Sequence, residues 1–382
     1  MPPENRRILI TLGRLPKGLE LAAAFSRQGH RVIVADPFRW HLCRASRFVA
    51  RCRRVPPPNP EPEAFLEALA RIVARDGITD VVPVSEETLH VAALEGRLPQ
   101  EVTLHTMAQS ALKPLHDKLG FVETAAALGL PVPRTFDLTD ECARGFAASE
   151  PFISKPRLSS AGHGVSAHPP GDSLPEPIVR TVIQEQLPGP EISTFTVAHR
   201  GMPIGTLAYR GVIMAGTVAV CFEALETVPE DVAHWIGRFA AGTDYSGFLS
   251  FDFRAREDGR FLPIECNPRA TSGVHFVEPT DLAAAILHPD APNPFRLRRE
   301  RRLQQFYPAL TATQAAGLRG EPWRENLRYL FGCRDTTWCW RDPLPFLTMP
   351  VTSYPILYGT IFRGESFGEA STFDIGWYDD AL

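Results

Sequence analysis

Two acidic residues lie on either side of a turn signal in residues 247–267, GFLSFDFRAREDGRFLPIECN. Alternating apolar and polar residues flank Asp258 and Gly259, a pair that favours a two-residue type I′ turn because both residues tolerate positive φ angles. This turn predicts a hairpin in which Asp252 directly faces Glu265. Their Cβ atoms would then lie about 4.5–5.5 Å apart, a distance at which like charges destabilise a sheet. A divalent cation between the two carboxylates would remove that repulsion.

The same register predicts the partners of the other strand residues. Ser250 should face Asn267, and Phe253 should face Ile264. Period-two alternation on both strands supports this pairing, because the apolar residues then share one face of the ribbon and the polar residues share the other. The amide oxygen of Asn267 is therefore expected on the same side as the two acids.

Asp252, Glu265 and Asn267 together form an oxygen-rich set that suits Mg²⁺. This ion usually takes one or two carboxylates from a protein and completes its shell with substrate phosphates and water. The set therefore predicts magnesium-dependent nucleotide chemistry. An exposed ribbon face, on which Arg254 and Arg269 neutralise the acids, is the alternative that the residues leave open.

The composition of the whole chain is that of an ordinary globular protein. Its 382 residues suggest two or three domains, and its formal net charge of −4 gives no reason to expect nucleic acid or an anionic membrane as a partner. The seven cysteines form no CxxC pair, so we expect reduced thiols in a cytoplasmic protein. The N-terminus lacks the long apolar segment of a signal peptide. The sequence contains no run of about 18 apolar residues, so it predicts no transmembrane helix.

The N-terminal residues predict a βαβ unit. Within residues 7–35, two apolar runs flank a stretch with helical spacing. Asp36 follows the second run, as an acidic residue does in dinucleotide-binding folds. However, Gly13 and Gly18 do not complete the GxGxxG pattern that lets the backbone approach a pyrophosphate. We therefore expect a structural Rossmann-like layer rather than a nicotinamide site.

The five residues from Glu265 to Arg269, ECNPR, resemble the E-x-N-P-R signature of the ATP-grasp superfamily, which includes biotin carboxylase, carbamoyl phosphate synthetase and D-alanine–D-alanine ligase. The resemblance extends in the expected order over about residues 7–290. It implies an α/β and α+β fold class, in which a Rossmann-like N-terminal domain is followed by an ATP-grasp fold with a lid subdomain and an antiparallel-sheet core. The implied domains are residues 1–110 for the Rossmann-like domain, residues 111–195 for the linker helices and the lid with its glycine loop, residues 196–295 for the core with the metal hairpin, and residues 296–382 for a C-terminal extension.

The resemblance also implies the roles of individual residues. Asp252, Glu265 and Asn267 would bind one or two Mg²⁺ ions, with Mn²⁺ as a substitute. Arg269 resembles the arginine that meets the transferring phosphate or the acyl phosphate. Lys155, in FISKP, resembles the lysine of a lid strand that reaches the nucleotide phosphates, and we expect it to act in catalysis together with Arg269.

Two further parts of the resemblance concern the phosphates of ATP. In SSAGHGV, Ser160, Gly162 and Gly164 resemble the glycine loop, whose backbone N–H groups turn toward phosphate oxygens. Lys118, in HDKLGF, resembles an earlier lysine that contacts ATP from the domain junction. Lys113 is a rival for that role, and the sequence leaves the choice open.

The segment VIQEQLPGPEIS resembles the hinge that holds the nucleoside. In the family, a glutamate at the position of Glu185 and the backbone near Leu187 hold the adenine edge. The second glutamate, here Glu191, would accept the ribose hydroxyls.

By this resemblance we expect an ATP-dependent ligase. A small-molecule carboxylate would be activated as an acyl phosphate and attacked by an amine, with release of ADP and phosphate. A nicotinamide-dependent oxidoreductase on the βαβ unit and a non-catalytic nucleotide-binding module are the alternatives. His275 is either a substrate contact or a core histidine, and a homodimer is left open.

Overall fold

The computed structural model of the chain describes residues 5–159, 162–176, 179–291, 294–320, 323–364 and 367–378. Within these ranges the strands form a parallel sheet of five strands, an antiparallel sheet of four strands and a mainly antiparallel sheet of seven strands. This arrangement confirms the predicted mixture of an α/β layer with an α+β region.

The parallel sheet forms the N-terminal layer, with its strands in the order β3-β2-β1-β4-β5. This is the order of a Rossmann sheet. The predicted βαβ unit is present, because β1 and β2 pair in parallel on either side of α1 in the chain. The elements are β1 (Arg7–Ile10), α1 (Pro16–Arg27), β2 (Arg31–Asp36), β3 (Arg51–Arg54), α2 (Pro62–Asp76), β4 (Asp80–Val82), α3 (Thr88–Val91) and β5 (Thr103–Leu104), with short 3₁₀ helices at Leu42–Ala45 and Ala92–Leu94.

The turn after β1 is closed by contacts within the protein. The buried Asp36 carboxylate accepts hydrogen bonds from the backbone N–H groups of Gly13 and Arg14, both at 2.9 Å, and from Arg14 Nη2 at 3.0 Å. A Cβ atom on Gly13 would lie 2.4 Å from Nδ1 of His41. In dinucleotide-binding folds, an acidic residue at the end of the second strand binds ribose only when its carboxylate oxygens are free. The packing therefore weighs against the nicotinamide-dependent alternative.

Two helices lead from the first layer into the four-stranded sheet, whose order is β6-β9-β7-β8. Asp117 caps the second of these helices, because its carboxylate accepts a hydrogen bond from the Leu119 N–H at 3.0 Å. This small sheet corresponds to the predicted lid. The elements are α4 (Gln109–His116), α5 (Lys118–Ala127), β6 (Thr135–Asp137), α6 (Glu141–Ser149), β7 (Phe152–Pro156), β8 (Ser166–His168) and β9 (Thr181–Glu185).

The seven-stranded sheet forms the core of the molecule, in the order β14-β13-β10-β11-β12-β15-β16. Its strands β10 and β11 form a hairpin with a type I′ turn, in which Arg200 and Gly201 have φ angles of +46° and +73°. The elements are β10 (Glu191–His199), β11 (Met202–Ala215), β12 (Val218–Ala224), α7 (Glu230–Gly242), β13 (Gly247–Ala255), β14 (Phe261–Asn267), a 3₁₀ helix (Ser272–Phe276), α8 (Pro279–Leu287), β15 (Arg302–Gln304) and β16 (Arg334–Asp335).

The C-terminal part of the chain belongs partly to the core. Its strands β15 and β16 extend the core sheet beyond residue 295, where the sequence placed the domain boundary. The final residues return to the first layer, where Asp374 pairs with Arg14 at 2.7 Å. No helix of the described residues is both long and apolar enough to cross a membrane. The helices are α9 (Phe306–Leu318), α10 (Trp323–Gly332), α11 (Leu344–Thr352), α12 (Tyr354–Phe362) and α13 (Phe367–Thr372).

A buried charge network joins the first layer to the core. Glu20 of α1 pairs with Arg298, and its other oxygen lies 3.1 Å from Nδ1 of His275. All three side chains are buried. His275 therefore lies in the core, which is one of the two alternatives left open by the sequence, and it contacts Glu20 of α1 there.

Replacing Glu20 by Gln should destabilise the fold, because the substitution leaves the Arg298 guanidinium buried without a counter-charge. At pH 7 the free energy of unfolding in urea should fall by about 3 kcal/mol. Burial alone would raise the pKa of Glu20, but Arg298 and His275 outweigh it and lower that pKa from 4.5 to about 2. The difference in free energy of unfolding between wild type and Glu20→Gln is therefore complete above pH 4.5 and should shrink as the pH falls toward 2.

Glu63→Gln is the matched control, because it removes an exposed carboxylate that pairs with Arg97. This variant should unfold at the same urea concentration as wild type. Equal losses of unfolding free energy in the two variants at pH 7 would contradict a stabilising role for the network. A Glu20→Gln effect that is unchanged in acid would contradict it as well.

Candidate active site

The hairpin of β13 and β14 brings two carboxylates face to face, as predicted. Asp252 pairs with Glu265, and Ser250 pairs with Asn267. Asp252 is half-buried, and the Glu265 side chain is 28% exposed. The central ladder of the hairpin therefore holds two like charges opposite each other near the surface.

The turn of this hairpin differs from the predicted one. Arg256 N–H donates to the Arg260 carbonyl at 2.8 Å, and Gly259 N–H donates to the Arg256 carbonyl at 3.0 Å, so the loop contains three residues. Of these three, Gly259 alone has a positive φ, +82°, and Asp258 does not. The prediction of a two-residue type I′ turn at Asp258 and Gly259 is wrong. A three-residue loop that ends in a left-handed glycine joins antiparallel strands equally well.

A β-bulge compensates for the extra loop residue. Phe253 lies opposite Pro263 rather than opposite Ile264, so the predicted pairing beyond the acids is wrong by one residue. Ile264 is the additional residue on β14. Its carbonyl oxygen accepts a hydrogen bond from Lys155 Nζ at 2.7 Å. The bulge thus leaves the register of the acids unchanged and brings a lysine beside them.

The two acids sit in a chain of polar contacts. Asp252 accepts hydrogen bonds from Ser193 Oγ at 2.5 Å and from Asn267 Nδ2 at 3.0 Å. Asn267 Oδ1 in turn accepts one from Arg269 Nη2 at 2.8 Å. Burial, followed by the charge of Glu265, raises the pKa of Asp252 from 3.8 to about 7. The protein alone therefore does not favour two ionised carboxylates at this place.

These residues fit a hard divalent cation. Among the described residues, no group of three or more His, Cys, Asp or Glu side chains gathers as a metal site. Two carboxylates suit Mg²⁺, which takes few protein ligands and binds phosphates and water as well. The Asn267 NH₂ group, rather than its oxygen, faces Asp252. A half-turn of that amide exchanges the two atoms and adds an oxygen beside the acids.

Two buried lysines lie beside the acidic pair. Lys118, the first residue of α5, donates to the Ser159 carbonyl at 2.9 Å, and its Nζ lies 3.9 Å from Glu265 Oε1. Lys155 of β7 donates to Gln184 Oε1 at 2.9 Å. Burial, followed by the charge of Lys118, lowers the pKa of Lys155 from 10.5 to about 7. Two cationic groups and two carboxylates thus meet where the lid sheet approaches the core sheet.

The rival lysine lies elsewhere. Lys113 is exposed, and its Nζ lies 4.3 Å from the centroid of the Trp377 ring. The structure brings Lys118, and not Lys113, to the acidic pair.

The predicted hinge residues connect the two sheets. Glu185 ends β9 in the lid, and Glu191 begins β10 in the core. The Glu185 carboxylate accepts a hydrogen bond from the Arg134 backbone N–H at 3.2 Å, and the Leu187 side chain is buried. The exposed Glu191 lies opposite Arg254 in the β10–β13 ladder. This segment therefore occupies the position expected of a hinge.

The glycine loop joins β7 to β8. Gly162 and Gly164 have φ angles of +71° and +69°, and a Cβ atom on Gly162 would lie 2.8 Å from Thr217 Cβ. The positive φ angles favour glycine at both positions. Gly162 also lies against the β11–β12 turn, and a Cβ atom on Gly164 would lie 2.8 Å from Pro156 Cγ. Ser160 lies outside the described residues. His163, between the two glycines, pairs with Glu369 of α13.

A second polar cluster was not predicted from the sequence. Glu86, just after β4, pairs with Arg269 at 2.6 Å. Lys17 of α1 donates to Ser85 Oγ at 2.9 Å and to the Ala270 carbonyl at 3.0 Å. Burial, followed by the charge of Arg269, lowers the pKa of Lys17 from 10.5 to about 7. The one available signal was the run of polar residues at the carboxyl end of a parallel strand, where ligands of α/β proteins bind.

Comparison with known proteins supports the fold. The sequence matches no family model, and no curated protein is significantly similar to it. Several solved structures are similar in shape at low sequence identity. One is N5-carboxyaminoimidazole synthetase from Staphylococcus aureus, with a TM-score of 0.59 and 15% identity over 76% of this chain and 80% of that one. A biotin carboxylase–β-γ-ATP complex from Campylobacter jejuni has a TM-score of 0.61 and 14% identity over 77% of this chain and 74% of that one. L-amino acid ligase from Bacillus licheniformis has a TM-score of 0.54 and 16% identity over 74% of each chain.

These structures match the mixed fold of parallel and antiparallel sheets over about three-quarters of this chain. The predicted superfamily resemblance is thereby confirmed at the level of the fold. The chain has the ATP-grasp fold.

Proposed function

We propose that the protein is an ATP-dependent ligase that activates a small-molecule carboxylate as an acyl phosphate for attack by an amine. The observation that carries this proposal is the meeting of Asp252 and Glu265 with Lys118 and Lys155. Phosphate groups and a divalent cation would balance these charges together. ADP and phosphate would be the by-products.

The nucleotide would lie between the lid sheet and the core sheet. Glu185 and the backbone near Leu187 would hold the adenine edge, and Glu191 would hold the ribose. Gly162 and Gly164 would direct backbone N–H groups to the phosphates. The support for this placement is that the hinge joins the lid sheet to the core sheet, whose β13–β14 hairpin carries the acidic pair, and that Gly162 approaches the β11–β12 turn of the same core sheet.

Asp252, Glu265 and Asn267 would hold the metal ion. When bound, Mg²⁺ would supply charge stabilisation to the phosphates during transfer. Lys118 and Lys155 would hold the phosphates in line for attack. A lysine with a pKa near 7 gains a proton, and so a full charge, when a polyanion binds beside it.

The cluster of Lys17, Glu86 and Arg269 is our candidate for binding the carboxylate and amine substrates. It lies at the seam between the parallel layer and the hairpin, beside the acidic pair. Arg269 Nε is buried and has no hydrogen-bond partner among the described residues. A substrate carboxylate or an acyl phosphate would satisfy this donor.

The similar solved structures support a nucleotide-dependent ligase. The Staphylococcus aureus synthetase was also solved with ADP, and the Bacillus licheniformis protein is named an L-amino acid ligase. Both alternatives have weaker support. The buried Asp36 weighs against nicotinamide binding, and a non-catalytic module has no chemical need for a second buried cluster beside the nucleotide groove.

The double substitution Asp252→Asn and Glu265→Gln should abolish magnesium-dependent turnover, because it removes both anionic ligands while keeping the shape of the side chains. ADP release, screened over pairs of carboxylic and amino acids, should fall at least about 100-fold. Magnesium-dependent binding of an ATP analogue gives a readout that needs no substrate.

The control is Glu257→Gln, in the exposed loop of the same hairpin. It should retain wild-type activity. Wild-type rates of ADP release in the double variant would remove the proposed mechanism.

Asp252→Asn should raise the melting temperature when nucleotide and divalent cations are absent. The substitution removes one of two facing charges, and a gain of about 2 °C or more is expected for a chain of this size. With ATP and Mg²⁺ present, wild type should instead have the higher melting temperature, because it gains binding energy that the variant lacks. A variant that melts below wild type in both conditions would show that the acids do not repel each other.

Lys118→Met should weaken the binding of the ATP analogue at least about tenfold, since a charged hydrogen bond contributes about 1.5–3 kcal/mol. Lys113→Met is the matched comparison, because the sequence did not decide between the two lysines. It should bind the analogue like wild type. The reverse result would move the phosphate contact to Lys113.

A further inference from the structure

The C-terminal helices α11 and α12 present an unusual concentration of exposed apolar side chains. Residues 343–362 contain no charged residue. Half of the large hydrophobic side chains that are exposed in the described chain lie between Trp340 and Phe362. Their spacing along each helix places them on one side, which we call the apolar face. Its members are Leu344, Leu347, Val351, Tyr354, Leu357 and Phe362.

Neither helix is long enough to span a bilayer. Each has nine residues, which corresponds to about 14 Å, whereas a spanning helix needs about 20 residues. Pro350 lies inside α11, and Pro355 lies in the first turn of α12. Two short, apolar helices joined by the single residue Ser353 suit a contact in the plane of one leaflet.

Exposed arginines border the apolar face. Arg39, Arg44 and Arg47 come from the loop and 3₁₀ helix after β2, which pack beside α11, and Arg341 precedes α11. The Arg47 side chain donates to the Arg341 carbonyl at 3.3 Å, so these two segments touch. Arg363 follows α12 and is also exposed. The border is therefore strongly positive.

The described acids near this border are already paired within the protein. Glu369 and Asp374, which line a pocket together with Arg363, pair with His163 and Arg14. Asp342 is buried, where it accepts hydrogen bonds from Ser46 Oγ at 2.5 Å and from the Arg47 N–H at 3.0 Å. Glu365 follows Arg363 in the sequence, outside the described residues. Trp40 and Trp340, exposed by 51% and 85%, lie among the arginines. Tryptophan at the edge of an apolar patch is typical of the membrane interface.

We propose that this face binds peripherally to an anionic phospholipid bilayer. The apolar side chains would enter the boundary of the acyl chains, and the arginines would contact lipid phosphates. The net charge of −4 describes the whole chain, whereas residues 343–362 carry no charged side chain and arginines border the apolar face. A second copy of the chain suits the face less well, since a two-fold contact would bring identical arginine borders together.

Sedimentation of the full-length protein with vesicles tests this proposal. Vesicles of phosphatidylcholine with about 30% phosphatidylglycerol should bind the protein, and phosphatidylcholine alone should bind it much less. Leu347→Glu with Val351→Glu should lower binding at least about tenfold, because two apolar groups would be lost and two anions added. Arg44→Glu with Arg341→Glu should lower it as well and remove its dependence on salt.

Leu318→Glu is the control, because Leu318 is 91% exposed at the end of α9, whereas that helix contacts α11 through its first residues. It should bind vesicles like wild type. All variants should melt like wild type without lipid. Wild type that stays in solution with both kinds of vesicle would overturn the proposal. A dimer that the Leu347 and Val351 substitutions dissociate, without any vesicle binding, would assign the face to self-association instead.

Discussion

The repulsion between Asp252 and Glu265 is the constraint on which the site depends. Backbone hydrogen bonds hold the two residues opposite each other, and β13 is itself fixed between β10 and β14. The register therefore keeps their Cβ atoms adjacent, and the two carboxylates can move apart only by rotation of their side chains. Burial and the same repulsion from Glu265 raise the pKa of Asp252. A fold tolerates such a pair where a cation is to be bound, because the interaction that destabilises the free protein becomes a source of affinity.

The other groups of the site reach this pair from three different parts of the chain. Lys118 comes from the linker helices, Lys155 from the lid sheet and Arg269 from the end of the hairpin. The bulge at Ile264 connects Lys155 to the acidic pair, because the Ile264 carbonyl accepts the Lys155 hydrogen bond while the acids keep their register. The parallel layer contributes Glu86, which holds Arg269 in place. Substrate, nucleotide and metal would thus meet at one seam between the layers.

Features carried by local spacing could be predicted from the sequence. The βαβ unit and the facing acids follow from periodicity and from residue types within short segments, whereas the glycine loop was expected from the family resemblance. The turn could not be predicted in detail, because Asp258 and Gly259 suit more than one loop length and the choice depends on the bulge at Ile264, outside the turn. The role of Lys17 and Glu86 depends on how the first layer docks on the core, which no local pattern encodes. The apolar face was missed for a similar reason, since a run of apolar residues does not show which side is covered.

The most direct test of the central claim is a crystal structure with Mg²⁺ and a non-hydrolysable ATP analogue. We expect a metal ion between Asp252 and Glu265, at about 2.0–2.1 Å from a carboxylate oxygen and bridged to the phosphates. The adenine should lie against the hinge between Glu185 and Glu191. A nucleotide bound instead at the turn after β1, or one bound at the groove with no metal between the two acids, would contradict the proposed mechanism.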